Sequence, residues 1–143
     1  MPRFLLVLAI TITLSSRPAV ANFAPDGELR LVCGTNLVIV TTTWKQKAAN
    51  AVGAQGDDRS EITAGLVAPQ AGKKAKYPEA WAFGWAYEET ISVRDWLVLD
   101  RVNGTLKLSD SYVTCRKSSK AEHRQIVDAH NRKVMESKPE RKF

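Results

Sequence analysis

Apolar residues alternate with polar ones through most of this chain, and the period changes once, near residue 118. Glu28-Leu29-Arg30-Leu31-Val32-Cys33 puts Leu29, Leu31 and Cys33 on one face of a strand. Gly34-Thr35-Asn36 turns the chain into the β-branched run Leu37 to Trp44, which predicts a hairpin. Lys45 to Arg59 loses the pattern and reads as an exposed loop, after which Ser60 to Val67 is a weaker strand. A loop bearing Lys73, Lys74 and Lys76 follows. Thr90 to Val93 and Trp96 to Val102 continue the series, and Asn103-Gly104 predicts a two-residue hairpin turn into Thr105 to Ser109. Counting back from that turn sets Asp100 opposite Lys107 and Leu99 opposite Leu108. Tyr112 to Cys115 ends the β region, with Val113 and Cys115 facing inward.

Beyond this point the period becomes helical. Ser119-Lys120-Ala121-Glu122 has the form of a capping box, and Ile126, Val127, His130 and Val134 recur at helical spacing up to Ser137, just before Pro139. Strand following strand across turn-length connections, with one helix at the end, predicts a mainly β fold. It is an antiparallel meander forming a small barrel or a bent sheet, with an appended C-terminal α-helix.

The strand from Glu79 to Glu88 is unusual. Trp81, Phe83, Trp85 and Tyr87 occur at period two, separated by Ala82, Gly84 and Ala86. All four rings share one face. A domain this small has few other large side chains to fill an interior, so the ladder is read as core. The alternative is an exposed platform for sugar rings or a partner's apolar surface, with Trp81, Trp85 and Trp96 as its candidate residues. Trp44 and Trp96, outside the ladder, are candidates for partly exposed rings.

Residues 1–21 change the picture of where this fold resides. Arg3, the apolar run Phe4 to Leu14 and the small-x-small site Ala19-Val20-Ala21 read as a secretory signal peptide cleaved before Asn22. The apolar run is too short for a bilayer core of about 30 Å. The expectation is therefore a periplasmic or secreted protein, organised as 1–21 signal peptide, 22–117 β domain and 118–143 basic helix and tail. In such a compartment the only two cysteines, Cys33 and Cys115, are expected to be paired.

Charge is unevenly placed. The formal net charge is +6, yet residues 116–143 carry nine basic side chains against four acidic ones, while Asn22 to Cys115 is nearly neutral. Arg124, Arg132 and Lys133 are thus the candidates for an anionic envelope component.

Known catalytic patterns are missing. The histidines, His123 and His130, lie seven apart on the helix, about 10 Å, too far to share an ion, and no Gly-x-Ser-x-Gly elbow occurs. Asp57, Asp58 and Glu61 lack the regular acidic ladder and glycine of a calcium loop, and read as solvated. Asn103-Gly104-Thr105 matches a glycosylation acceptor, with a turn asparagine of positive φ as the preferred reading. Neither a cofactor, a metal nor a specific nucleic-acid partner is expected.

Leu99-Asp100-Arg101-Val102-Asn103-Gly104 with Tyr112-Val113-Thr114-Cys115 resembles short exported bacterial proteins that end in such a hairpin and a tyrosine-x-x-cysteine strand. That family is largely without assigned function, so the resemblance implies a fold and no catalytic residue. The functional expectation is a non-enzymatic interaction or envelope-associated module. Its alternatives are a binder of anionic surfaces through the basic tail, or a cell-wall carbohydrate or lysozyme-inhibitor-like binder using exposed aromatics.

Overall fold

A computed structural model describes residues 23–25, 27–53 and 58–137; the expected signal peptide and its expected cleavage site lie outside these. Eight antiparallel strands follow one another around a closed barrel. They are β1 (Glu28–Cys33), β2 (Asn36–Thr42), β3 (Ser60–Val67), β4 (Ala82–Ala86), β5 (Thr90–Val93), β6 (Leu97–Asp100), β7 (Thr105–Leu108) and β8 (Ser111–Lys117). Helix α1 (Trp44–Ala51) joins β2 to β3, and α2 (Lys120–Ser137) follows β8. Among the described residues no helix is long and apolar enough to cross a membrane.

Alternation decides the barrel's filling. Val38 and Val40 of β2, Ile62 and Ala64 of β3, Ile91 and Val93 of β5, Leu97 and Leu99 of β6 and Leu106 of β7 are all buried in one cluster. These are aliphatic side chains of modest size, as eight strands enclose just enough room for side chains to fill. The outer faces of β1, β2 and β3 contribute a second cluster, in which Val32, Leu37 and the partly buried Val67 pack against Ile126 and Val127 of α2. Helix α2 therefore lies on the barrel wall.

Closure joins β1 to β8 through Leu31↔Lys117, Val32↔Arg116 and Cys33↔Cys115. The two cysteines are bonded, with S–S 2.06 Å, across 82 residues of chain. This is the one seam whose strands are not consecutive in the chain, and the disulfide sits on it. Constraining a loop of that length in the unfolded chain contributes about 4.5 kcal/mol in the loop-entropy model.

Several expectations are corrected. The segment after Thr42 is helical, because Thr43 caps α1 by accepting from the Gln46 amide at 3.1 Å, while the Gln46 side chain accepts from the Glu61 amide at 2.8 Å. No residue of α1 is buried, so a helix fastened by polar bonds left no apolar period to detect. The β6–β7 register is Leu99↔Leu106 and Asp100↔Thr105, two residues from the expected one. The Asp100 carboxylate accepts from the amides of Val102 and Asn103, each at 2.9 Å, and from Asn103 Nδ2 at 2.7 Å, which stabilises a four-residue loop. Gly104, with φ of 66°, takes the left-handed position expected of Asn103. A shift of two preserves the face, so Leu99 and Leu106 still point inward.

The ladder is the largest correction. Trp81 and Phe83 are 69% and 71% exposed, whereas Gly84 and Ala86 between the rings are buried. A Cβ on Gly84 would stand 2.4 Å from Ser92 O, 2.6 Å from Val93 Cγ2 and 3.2 Å from Ile62 Cδ1. The interior is already full at β4, so its small residues face in and its rings face out.

Candidate functional site

The pairing register lays the outer face out in rows. Phe83 on β4 is opposite Thr63 on β3, Thr63 is opposite Thr41 on β2, and Thr41 is opposite Glu28 on β1. One step along the strands, Gly65 is opposite Ile39 and Ile39 is opposite Arg30, with Trp81 beside Gly65. One step the other way, Trp85 is opposite Glu61. A single outer surface thus carries rings at one end and a charged pair at the other, with hydroxyls between.

At the aromatic end, Trp44 begins α1 and is 82% exposed. It flanks a cleft of about 560 Å³ together with Phe83, and the cleft is lined by Thr42, Thr43, Glu61 and Thr63. The hydroxyls of Thr41 and Thr63 share one hydrogen bond of 2.7 Å, and Thr43 Oγ1 donates to Glu61 Oε1 at 3.0 Å. Each bond uses one proton. One of the two hydroxyl protons on Thr41 and Thr63, the second Glu61 oxygen and several lone pairs stay available to a ligand.

Trp81 and Trp96 stack with centroids 5.6 Å apart and planes 5° from parallel. Trp96 is half-buried by this contact and leaves Trp81 as the open ring. Trp85 is covered on one face by the Arg59 guanidinium, 3.7 Å from its ring centre. Of the three tryptophans that are candidates under the alternative platform reading, Trp81 alone presents a broad free surface. Trp44, Phe83 and the threonine pair were not singled out for binding. Their signal is visible only once the register is known, because Thr41, Thr63 and Phe83 come from three different strands.

At the charged end, a second cleft of about 520 Å³ is lined by Glu28, Arg30, Ile39 and Thr41 of the barrel, Tyr77 to Ala80 of the loop before β4, and Lys120, His123 and Arg124 of α2. Arg30 forms an ion pair with Glu28 and donates from Nη1 to His123 Nδ1 at 3.3 Å. Since Nδ1 accepts there, His123 carries its proton on Nε2 and donates to Leu31 O at 2.9 Å. Burial pushes the His123 pKa below its ordinary value; the Leu31 bond pulls the other way, and the Arg30 charge adds to the depression. Neutral His123 is therefore a fastener of α2 to β1.

Further along the helix, His130 Nε2 meets Lys73 O at 2.7 Å, Asn131 bonds both the amide and the carbonyl of Ala75, and Tyr77 donates to Asp128 at 2.5 Å. These bonds hold the lysine-bearing loop beside α2. At the helix start, Ser119 Oγ accepts from the Glu122 amide, as a capping box requires. The Glu122 carboxylate turns instead to Arg116 and Ser118, which hold it below the usual carboxylate range.

Arg124 lines this second cleft, with its guanidinium 5.9 Å from the Tyr77 ring centre. Arg132 and Lys133 are exposed on α2 and line neither cleft. A third opening, of about 670 Å³, is lined by Leu29 and Leu31 of β1, by Ile91, Leu99 and Cys115 and by the β6–β7 turn, and Ala24 and Pro25 form part of its wall. Thr42 Oγ1 and Arg101 fasten that segment through the carbonyls of Pro25 and Phe23.

Among the described residues no three His, Cys, Asp or Glu side chains gather as a metal site would need. Comparison with known proteins finds no matching family model, no matching curated protein and no matching solved structure.

Proposed function

We propose that this protein is an exported, non-enzymatic binding module that takes a saccharide chain across the outer face of its barrel, with sugar rings against Trp44, Phe83 and Trp81. The observation that carries the reading is the cleft between Trp44 and Phe83, two rings 82% and 71% exposed, floored by threonine hydroxyls and edged by a carboxylate. Flat apolar rings match the C–H faces of sugars, and hydroxyls and carboxylates match their edges. Keeping large rings in water lacks a folding rationale, since burying such a side chain contributes roughly 1.5–3 kcal/mol. The disulfide supports an oxidising compartment, where a protein meets envelope and cell-wall glycans.

Titrating the protein with an N-acetylglucosamine hexamer tests this through tryptophan fluorescence. The expected result is a saturable change that Trp44→Ala and Phe83→Ala each abolish, with no new reducing ends from the hexamer. A flat titration at millimolar sugar, or saturation unaffected by both substitutions, would overturn the reading.

A further inference from the structure

Resting on the saccharide reading, we infer that the preferred ligand is an acidic glycan, whose sugar rings lie in the aromatic cleft and whose carboxylates reach the basic groove between α2 and β1. The two clefts are not separate sites. Thr41 lines the groove and shares a hydrogen bond with Thr63, which lines the aromatic cleft. Phe83 and Glu28 lie at the two ends of one four-strand row, and strands about 4.8 Å apart set them about 14 Å from each other. An oligosaccharide lying across the strands spans that distance without leaving the surface.

The groove has the chemistry of an acid receptor. Arg30, Lys120 and Arg124 line it against Glu28 and Glu79, and Glu28 is already paired with Arg30. Neither ion pair among the described residues uses Lys120 or Arg124, so neither is tied to a carboxylate of the protein. Arg30 Nε is, among the described residues, the one buried side-chain nitrogen or oxygen with no hydrogen bond. That guanidinium is spent on Glu28 and His123 and keeps one buried donor unused, so the carboxylates of the ligand fall to Lys120 and Arg124. Lys73, Lys74 and Lys76, exposed on the loop that leads to Tyr77, extend the positive potential on the same side. Helix α2 is fastened here by His123, so Lys120 and Arg124 are held over the groove by the fold.

Two glycans of equal length separate this inference from the reading beneath it. One is the neutral N-acetylglucosamine hexamer; the other alternates N-acetylglucosamine with N-acetylmuramic acid, without peptide, and adds lactyl carboxylates. Isothermal titration at low salt is expected to show the acidic chain binding about tenfold tighter, the scale of one charge-assisted hydrogen bond. Added salt should shrink that preference, since the groove is open to solvent. Lys120→Gln with Arg124→Gln, both exposed positions, should reduce the acidic chain to the neutral chain's affinity and leave the neutral chain unchanged. Equal binding of both chains by the native protein, or a preference that survives the double substitution, would overturn the inference while leaving the saccharide reading standing. Failure of both chains to bind would overturn both.

Discussion

The two faces of β4 are built from opposite materials. Inside stand Gly84, pressed against Ile62, Ser92 and Val93, and buried Ala86; outside stand Phe83 and Trp85, with Trp81 just before the strand. Five residues thus send their smallest side chains into the core and their largest toward water. Hydrophobicity alone would place them the other way. What decides the matter is volume, because Ile62, Val93 and the Ser92 carbonyl already stand against Gly84 and leave no room inward for a ring. The rings are then free for a task that the inner face cannot perform.

The comparison breaks most severely if the inner side is opened. Ile62→Ala removes a fully buried side chain beside Gly84 and should cost about 2–5 kcal/mol in chemical denaturation. Cys33→Ser, which releases the β1–β8 seam, should cost a similar amount, about 2–5 kcal/mol under oxidising conditions. Under reducing conditions the native protein should lose most of that difference.

Adding volume on the inner side is a sharper test. Gly84→Ala places a methyl within 2.4 Å of a backbone carbonyl, and overpacking of this kind costs about 1–3 kcal/mol. The matched change on the outer side is Phe83→Ala, which removes far more atoms. Its effect on stability should nevertheless stay below that of Gly84→Ala, because the ring is 71% exposed. A larger loss from Phe83→Ala would mean that the ring supports the fold.

Acid offers a smaller and separable effect. Buried His123 is held neutral in the folded protein, facing Arg30, Glu28 and Glu122, while in the unfolded chain it takes up a proton near pH 6.5. Its folded pKa is depressed, so stability is complete above that pH and declines as pH falls below it, by at most about 1.4 kcal/mol per unit. Measuring unfolding free energy from pH 7.5 to 5 should show this slope. His123→Gln, which preserves a donor toward Leu31 O, should flatten it.

How far the sequence showed this fold depends on the kind of signal. Leu37 to Thr42 was legible as an unbroken β-branched run buried on both faces, and Ser60 to Ala64 because its period of two and its burial agree. Helix α2 was legible through Ile126, Val127 and Val134. Helix α1 was not, since it is fastened by Thr43 and Gln46 and buries nothing. Period two correctly gave one face for Phe83 and Trp85 of β4, but periodicity carries no sign. Whether a face points in or out is fixed by what the other seven strands contribute. The site was legible in parts, as an aromatic ladder and a basic helix. That the two meet across Thr41 and Thr63 follows from long-range register, which no local pattern contains.

Hydroxyl-radical footprinting read by mass spectrometry, without and with the acidic glycan, tests the central claim most directly. In the free protein Trp44, Trp81 and Phe83 should oxidise readily and Trp96 less, reflecting its stack beneath Trp81. The glycan should protect Trp44, Trp81 and Phe83 together while leaving exposed Tyr112, outside both clefts, unchanged. Rings already protected in the free folded protein, or equal oxidation with and without the glycan, would contradict an outward aromatic face that binds sugar.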